Sequence, residues 1–263
     1  MSLGIHRLWK DYFVRSINPG NPPLPQPPSL SSSSSQRPPP QPQTLLDVAG
    51  GTGDIALRLL NHMTHINHDY SSNVIISDIN PSMLSAGRQR LSTSNYKDRI
   101  SYLEADAQSF PTIEDNSIDI YTVAFGIRNF TNPQKALETA YRVLKPGSVF
   151  ACLEFSKVGG GGMRMLEGVV KGAFGELYKR WSFGVIPLVG QLVAGDRDSY
   201  QYLVESIERW HDQATFAGMI EEAGFLVPRA GGLGDGEGEG EGKMWVDLTG
   251  GVAAVHKGVK PVR

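Results

Sequence analysis

The segment TLLDVAGGTGD, residues 44–54, constrains the fold more than any other part of the sequence. Its first five residues are mainly apolar and predict a buried strand. The glycines that follow let the backbone turn sharply and approach a ligand closely. A strand that enters a helix through such a turn is typical of α/β folds that bind nucleotides. We therefore expect a ligand site here, with Asp47, Gly51, Thr52 and Gly53 as candidate contacts.

Strand-like and helix-like segments alternate along the rest of the chain. Helix-like runs at 54–63, 81–91 and 132–144 separate further apolar runs, which are NVIISDI, ISYLEAD, SIDIYTVAF and SVFACLEF. This alternation predicts a mostly parallel sheet with helices on both faces. Near the end, GFLVPRA and KMWVDLTGGVAAVHKG predict two strands joined across an acidic glycine insert. The expected fold is therefore α/β with seven strands, the last two forming an antiparallel hairpin.

Several segments depart from this pattern. Residues 1–20 predict a helical segment, and residues 21–43, almost entirely Pro, Ser and Gln, predict a disordered insert. The α/β domain is expected over 44–263, with a flexible Gly/Glu loop at 231–243. Residues 163–210 are rich in aromatic and small apolar residues and predict a helical insert. Such an insert after the fifth strand would cover the carboxyl ends of the strands, where ligands bind in open α/β sheets.

Composition excludes several classes of protein. The net charge is −2, so we expect no nucleic-acid partner, which would require a basic surface. No apolar run reaches the roughly 18 residues of a membrane-spanning helix. The N-terminal residues predict no secretory or mitochondrial leader. The single cysteine, Cys152, lies in an apolar run and is expected to be buried in a strand.

The glycine-rich turn favours one kind of ligand. A dinucleotide site uses G-x-G-x-x-G and leaves the following helix N-terminus free for pyrophosphate. Here the third glycine is missing, and Asp54, expected at the N-cap of the helix, would repel a phosphate. A cationic sulfonium cofactor suits this acidic edge better, so we expect S-adenosylmethionine. A NAD-dependent dehydrogenase is the weaker alternative.

Polar residues follow the next three strands as well. Asp78 is placed to accept hydrogen bonds from ribose hydroxyls, with capping of the next helix as the alternative role. Asp106 could accept from an adenine amino group while the Ala107 amide meets the ring edge, again with capping as the alternative. Arg128 and Asn129 follow the fourth strand and are expected at the same cleft.

Several motifs in a fixed order resemble the ubiquinone/menaquinone biosynthesis C-methyltransferase family. The resemblance covers the chain outside the two low-complexity segments and rests on DVAGGTGD, SDINPSML, FGIRNF, YRVLKPG, LEFSK, DSYQYLVESI and LTGGVAAVHKG. It implies a class I S-adenosylmethionine-dependent methyltransferase that methylates a carbon of a polyprenyl benzoquinol in ubiquinone biosynthesis. It also implies peripheral contact with the matrix side of the mitochondrial inner membrane, other coenzyme Q biosynthesis proteins as partners, and a homodimer.

The resemblance also implies roles for individual residues. Cofactor-binding positions of the family fall on Thr52, Asp78, Asp106 and Ala107, and on Ala124 after the fourth strand. Arg128 and Asn129 match the substrate-side pair and are the expected catalytic residues. Because the guanidinium pKa stays above about 12, Arg128 is expected to orient a water or to stabilise a phenolate. His6 is the alternative base, and no metal is expected.

Three further expectations stay open at this point. His62, His65 and His68 have a spacing that could bind a metal, although a solvated loop is the favoured interpretation. The helical insert offers aromatic and apolar candidates for the wall of a prenyl channel, with core packing as the alternative: Phe174, Tyr178, Trp181, Phe183 and Ile186. The family carries a helical segment with a Tyr-Asp-x-Met-Asn-Asp motif ahead of GIHRLWKDYFV, which this sequence lacks. The alternative functions are therefore methylation of demethylmenaquinol or another small aromatic, and a truncated, non-catalytic scaffold of the quinone-biosynthesis complex.

Overall fold

A computed structural model describes residues 5–20, 41–156, 197–228 and 244–262. The helices and strands of these residues are numbered here in chain order. They are α1 (Ile5–Ile17), β1 (Thr44–Val48), α2 (Asp54–His65), β2 (Asn73–Asp78), α3 (Pro81–Leu91), β3 (Ile100–Glu104), β4 (Ile118–Ala124), α4 (Pro133–Val143), β5 (Leu144–Phe155), α5 (Arg197–Arg209), α6 (Gln213–Glu222), β6 (Trp245–Leu248) and β7 (Ala253–Val259). Short 3-10 turns occupy Lys97–Arg99 and Ile127–Asn129.

The strands form one seven-stranded sheet in the order β3-β2-β1-β4-β5-β7-β6. Strands β1 to β5 are parallel, and β7 runs antiparallel to both β5 and β6. The predicted α/β sheet with an antiparallel hairpin is confirmed. From β1 the chain first builds outward through β2 and β3 and then returns to place β4 on the other side of β1. This reversal opens a crevice at the carboxyl ends of β1 and β4, where ligands bind in such sheets.

The hairpin was predicted with the wrong first strand. Of the described residues of GFLVPRA, 224–228, only Leu226 pairs, through a single bridge to Val259. The two hairpin strands, β6 and β7, both lie within the run KMWVDLTGGVAAVHKG. Thr249, Gly250 and Gly251 have positive φ values of 49°, 68° and 90°, which make the tight turn between them. The acidic glycine insert therefore does not join the two strands of the hairpin.

Apolar side chains pack on both faces of the sheet, as predicted. Leu137 of α4 and Phe216 of α6 are buried on one face. Phe13 of α1 and Leu59 of α2 are buried on the other. Cys152 of β5 is fully buried, which confirms its predicted place in a strand.

Some predictions concern residues outside the described ranges. These are most of the Pro/Ser segment and of the helical insert, the Gly/Glu loop, and all five aromatic and apolar candidates for a prenyl channel. The last part of the 163–210 region is described and forms α5. Within the described ranges no helix combines the length and apolarity required to span a bilayer.

Candidate active site

Residues 49–53, here called the glycine-rich loop, connect β1 to α2 through residues in the left-handed region. Ala49, Gly51 and Gly53 have φ values of 51°, 54° and 78°. A Cβ atom at Gly53 would lie 2.6 Å from Leu91 Cδ1, so a side chain is excluded by space as well as by backbone conformation. The loop is stabilised by hydrogen bonds from the Gly50 amide to the Ser77 carbonyl and from the Gly53 amide to the Gly50 carbonyl, at 3.0 and 2.8 Å.

Helix α3 packs closely against this loop at Gly87. A Cβ atom at Gly87 would lie 3.0 Å from the carbonyl oxygen of Gly51. The sequence analysis did not single out Gly87, although a glycine inside a helical run often marks such a close approach.

Asp47 lies beneath the loop. Its side chain is buried and accepts hydrogen bonds from the Thr122 hydroxyl at 2.9 Å and the Ala56 amide at 3.2 Å. Burial raises the pKa of Asp47 to about 7, against the opposing effect of those two hydrogen bonds. The carboxyl group therefore links β1, β4 and α2 and has no exposed surface of its own at the crevice.

Asp54 is the first residue of α2, and the N-cap is Gly53, so the predicted capping position was wrong by one residue. Its carboxylate lies 2.8 Å from Lys10 Nζ of α1 and 3.6 Å from side-chain nitrogens of Arg58 and Arg90. Burial alone would raise the pKa of Asp54, but the hydrogen bond and charge of Lys10 lower it below its usual value. The Lys10–Asp54 ion pair thus connects α1 to the end of the glycine-rich loop.

Thr52 is held from the side of α3. Arg90 Nη1 donates to both the hydroxyl and the carbonyl oxygen of Thr52, each at 3.3 Å.

Asp78 ends β2 with its carboxylate directed at the glycine-rich loop. It accepts hydrogen bonds from the Gly51 amide at 3.0 Å and the Asn80 amide at 2.9 Å. The side chain of Asn80, not that of Asp78, caps α3 by accepting from the Ser82 amide. Helix capping therefore does not explain Asp78, and its position beside the loop suits binding of paired hydroxyls.

Two apolar side chains next to Asp78 are exposed. Ile79 is 68% exposed and Met83 is 40% exposed, and a Cβ atom at Gly51 would lie 3.1 Å from Met83 Cε. Exposed apolar side chains beside a polar ligand position offer a surface for a flat base. Neither residue was singled out from sequence, although an apolar residue directly after a strand-terminal acid was a usable signal.

Asp106 follows β3 and closes a local turn. Its carboxylate accepts from the Gln108 amide at 2.9 Å and from Gln108 Nε2 at 3.1 Å. No helix lies between β3 and β4, so this contact closes a turn and is not the helix cap that was the alternative role of Asp106. Ala107 is 7% exposed and packs in the core.

The ends of β1 and β4 touch each other. Phe125, which follows Ala124, has a φ of 58°, and a Cβ atom at Gly126 would lie 2.5 Å from Ala49 Cβ. Left-handed non-glycine residues therefore stand at both strand ends, Ala49 after β1 and Phe125 after β4. Such strained positions cluster at functional sites.

Arg128 is fixed by an ion pair that the sequence analysis did not predict. Its Nη1 atom lies 2.8 Å from Oε1 of Glu154 in β5, and only 8% of the Arg128 side chain and 2% of the Glu154 side chain are exposed. Nη1 also donates to the Phe125 carbonyl at 2.6 Å, and Nε donates to Ser206 Oγ of α5 at 3.1 Å. An acid in the otherwise apolar run SVFACLEF was the available signal for Glu154.

Asn129 is exposed beside this ion pair. Its Oδ1 accepts a hydrogen bond from the hydroxyl of Tyr202 in α5 at 3.3 Å. Tyr202 is itself 53% exposed, so an aromatic ring and an amide lie together at the surface here.

Helix α1 covers the ends of β4 and β5 with an aromatic cluster. The ring of Trp9 lies 6.4 Å from Phe125 and 6.2 Å from Phe155, and the two phenylalanine rings are 4.7 Å apart. Trp9 Nε1 donates to the hydroxyl of Thr249 at 2.8 Å. The cluster places α1 against the same end of the sheet as Arg128.

The histidines have separate environments. Burial and the charges of Lys10 and Arg7 lower the pKa of His6, which makes it a weaker base than an ordinary histidine. His62 Nε2 lies 2.9 Å from Asn18 Oδ1, and His65 Nε2 lies 3.2 Å from the Tyr96 hydroxyl. In the described part of the chain no three His, Cys, Asp or Glu side chains are grouped so as to hold a metal ion.

The sequence of this chain is similar to those of known methyltransferases. The profile of the ubiE/COQ5 methyltransferase family matches residues 1–260. A Schizosaccharomyces pombe protein named "2-methoxy-6-polyprenyl-1,4-benzoquinol methylase, mitochondrial" is 48% identical over 99% of this chain and 73% of its own length. A rice protein (Oryza sativa subsp. japonica) of the same name is 41% identical over 99% of this chain and 76% of its own length. A Brucella suis protein named "Ubiquinone/menaquinone biosynthesis C-methyltransferase UbiE" is 43% identical, covering 99% and 78%.

Solved structures agree with the fold. A SAM-dependent methyltransferase from Aquifex aeolicus superposes with a TM-score of 0.52 at 17% identity, covering 83% of this chain and 82% of its own. A putative methyltransferase from Bacillus halodurans gives a TM-score of 0.52 at 18% identity, covering 84% and 94%.

The residues at the crevice fit S-adenosylmethionine. The carboxylate of Asp78, the exposed side chains of Ile79 and Met83 and the glycine-rich loop offer hydroxyl, base and backbone contacts to a nucleoside. The predicted methyltransferase activity and the predicted cofactor are confirmed. This chain belongs to the ubiE/COQ5 methyltransferase family.

Proposed function

We propose that this chain methylates a ring carbon of 2-methoxy-6-polyprenyl-1,4-benzoquinol in ubiquinone biosynthesis. The observation that carries the proposal is the position of Arg128 and Asn129. They follow the end of β4, which touches the glycine-rich loop where a Cβ atom at Gly126 would meet Ala49. A polar pair able to bind a quinol oxygen thus stands next to the cofactor site. The relative from Schizosaccharomyces pombe, 48% identical, has a name that specifies this benzoquinol.

The ends of β1, β2 and β3 form what we call the donor half of the site. In our proposal Asp78 binds the ribose hydroxyls, Ile79 and Met83 pack against the base, and Asp106 and Ala107 contact its edge. The backbone of Gly51, Thr52 and Gly53, together with Ala124, surrounds the rest of the cofactor, and Asp47 supports the loop from below. When bound, S-adenosylmethionine supplies an electrophilic methyl group on its sulfonium.

The ends of β4 and β5, with α5, form the acceptor half. Quinol hydroxyls raise the electron density of the ring carbon that accepts the methyl group. A guanidinium group such as that of Arg128 is a hydrogen-bond donor without an acceptor atom, so it cannot serve as the base itself. It therefore stabilises the phenolate or orients a water that takes the proton, while Asn129 donates to a ring oxygen. Holding the ring carbon within reach of the methyl group supplies a large share of the rate acceleration.

The same proposal places the protein on the matrix side of the mitochondrial inner membrane. There it makes peripheral contact with lipid, meets other coenzyme Q biosynthesis proteins and forms a homodimer. The names of the fungal and plant relatives, which specify mitochondria, support the mitochondrial location. The lipid contact, the partners and the homodimer come from the resemblance to the family.

Methylation of demethylmenaquinol is the second candidate, because the names of the Brucella relatives join ubiquinone and menaquinone. Reduced short-chain benzoquinol and naphthoquinol, offered separately with methyl-deuterated S-adenosylmethionine, separate the two by mass spectrometry. We expect a labelled methyl group on a benzoquinol ring carbon, formed faster than on naphthoquinol. Transfer only to naphthoquinol, or to an oxygen, would overturn the proposal, and no transfer to either would favour a scaffold.

Helix α4 offers a control variant. Glu138 is an exposed acid on α4. Glu138→Gln is expected to keep wild-type turnover, whereas Arg128→Ala is expected to lose most of it.

A further inference from the structure

Glu154 is a carboxylate buried at the end of β5. Only 2% of its surface is exposed, and burying a charge is costly unless the charge is paired and hydrogen-bonded. Oε1 accepts from Arg128 Nη1 and from the Phe155 amide, both at 2.8 Å, and Oε2 accepts from the Arg128 amide at 3.4 Å. Glu154 therefore binds both the backbone and the side chain of Arg128.

The sheet register brings these two residues together. In the parallel pair, Ala124 of β4 lies opposite Leu153 of β5, and the Phe125 amide donates to the Leu153 carbonyl at 2.8 Å. Glu154, the next residue of β5, therefore lies where the chain after β4 turns toward Arg128. The Arg128 guanidinium also lies 5.4 Å from the ring centre of Phe155, which limits its movement on another side.

These contacts use particular hydrogens of Arg128. Nη1 donates to Glu154 and to the Phe125 carbonyl, and Nε donates to Ser206. A guanidinium has five N–H donors, and among contacts between described residues Nη2 takes part in none. The two hydrogens on Nη2 are therefore those that a quinol oxygen or an ordered water could accept from.

We propose that Glu154 is a positioning residue for methyl transfer, which holds the Arg128 guanidinium in the one orientation that presents Nη2 to the acceptor. Ser206 of α5 completes the arrangement from the opposite side. Glu154 itself does not touch the substrate and acts through Arg128. The inference rests on the proposed function, because it requires that Arg128 binds the quinol or a water in the acceptor half.

The test is Glu154→Gln, which keeps the shape and removes the charge. A hydrogen bond to a charged group is worth about 1.5–3 kcal/mol, so kcat is expected to fall about 10- to 100-fold. The Kd for S-adenosylmethionine should stay within about twofold, since the donor half is untouched. The KM for the quinol should also change little, because the guanidinium acts mainly on the phenolate that forms during the reaction. The matched control, Glu138→Gln, removes an exposed carboxylate from α4 and should leave kcat unchanged. A Glu154→Gln enzyme that is folded and turns over at the wild-type rate would overturn the inference.

A double-mutant cycle separates positioning from a merely structural role. If Glu154 acts through Arg128, then Glu154→Gln should have little further effect on kcat in an Arg128→Ala background. The same loss in both backgrounds would show that Glu154 acts independently of Arg128 and would contradict the inference. If Glu154→Gln fails to fold, Ser206→Ala offers a second test, because it removes the hydrogen bond that Arg128 Nε donates. We expect this variant to lower kcat about fivefold, since the lost acceptor is a neutral hydroxyl. Wild-type kcat in Ser206→Ala would then count against the inference.

A measurement that needs no turnover keeps this inference apart from the substrate assignment. In nitrogen-15 NMR spectra of the arginine side chains, the Arg128 Nη1 hydrogens, which bond to Glu154, should be protected from exchange in the wild type and lose that protection in Glu154→Gln. Unchanged protection would overturn the positioning role. If the wild type binds S-adenosylmethionine but does not methylate benzoquinol, the substrate proposal fails while the NMR comparison still tests Glu154.

Discussion

The donor and acceptor halves lie on neighbouring strand ends but are built by different means. In the donor half the ligand positions are set by backbone conformation, with positive φ at Ala49, Gly51 and Gly53, and the Asp78 carboxylate binds backbone amides. In the acceptor half a buried ion pair, Arg128 with Glu154, joins three elements that are distant in sequence. Local backbone geometry shapes the first half, and long-range side-chain pairing shapes the second.

Substitutions in the two halves should therefore affect different properties of the protein. A change in the acceptor half should reduce stability and turnover and leave cofactor binding intact. A change in the donor half should first lower the affinity for the cofactor.

Arg128→Ala should have the largest effect, because it leaves the Glu154 carboxylate buried without its ion pair. Removing one partner of a buried pair costs about 3–5 kcal/mol of unfolding free energy. Chemical denaturation should show this loss, while calorimetry should find the Kd for S-adenosylmethionine within about twofold of wild type in the folded protein. If Arg128→Ala loses more cofactor affinity than turnover, the two halves of the site are not independent.

Gly53→Ala should come next. Its Cβ atom would lie 2.6 Å from Leu91 Cδ1, and the φ of 78° is unfavourable for alanine. Overpacking and backbone strain together are expected to cost about 2–3 kcal/mol, and the Kd for S-adenosylmethionine should rise. Gly218→Ala is the matched control, since a Cβ atom there would meet nothing within 4 Å. Equal stability of the two variants would contradict the steric argument.

Asp78→Asn should weaken cofactor binding with little effect on the fold. A neutral amide loses the charge-assisted bonds to ribose hydroxyls, which are worth about 1.5–3 kcal/mol, so the Kd should rise about 10- to 100-fold. Saturating S-adenosylmethionine should restore most of kcat, unlike in Arg128→Ala. If Asp78→Asn binds S-adenosylmethionine with the wild-type Kd, Asp78 is not a cofactor-binding residue.

Asp47→Asn should have the smallest effect, visible as a change in pH dependence. The folded-state pKa of Asp47, about 7, lies above its unfolded value of 3.8. Its carboxyl group therefore ionises first in the unfolded state, and stability falls as pH rises from about 4 to 7. Between pH 6 and pH 8 the wild type should lose about 1 kcal/mol through this group, and Asp47→Asn should lack that loss. Parallel stability curves for the two proteins would contradict the assignment.

The same contrast explains how far the sequence was informative. The positions of the donor-half residues in the fold could be predicted because they follow contiguous motifs: a glycine-rich turn, then an acid at the end of the next strand. The position of Arg128 and Asn129 after β4 was also predicted, but the contacts of Arg128 with Glu154 and Ser206 were not. Their contact with Arg128 depends on β5 and α5 packing beside β4, at separations of 26 and 78 residues.

The hairpin illustrates a second limit. The run GFLVPRA has the composition of a strand, yet among its described residues only Leu226 pairs with β7. The Thr249–Gly251 turn brings β6 back onto β7, so the neighbour of β7 is set by a nearby turn and not by the more apolar run. Composition predicted the number of strands, whereas turn geometry decided which residues they contain.

If the donor half forms a complete cofactor site, the 263-residue chain should bind S-adenosylmethionine, which calorimetric titration measures. We expect saturable binding of one cofactor per chain, weakened by Asp78→Asn and retained in Glu154→Gln. Absence of binding to a folded chain would show that the donor half is not a cofactor site and would favour the scaffold function.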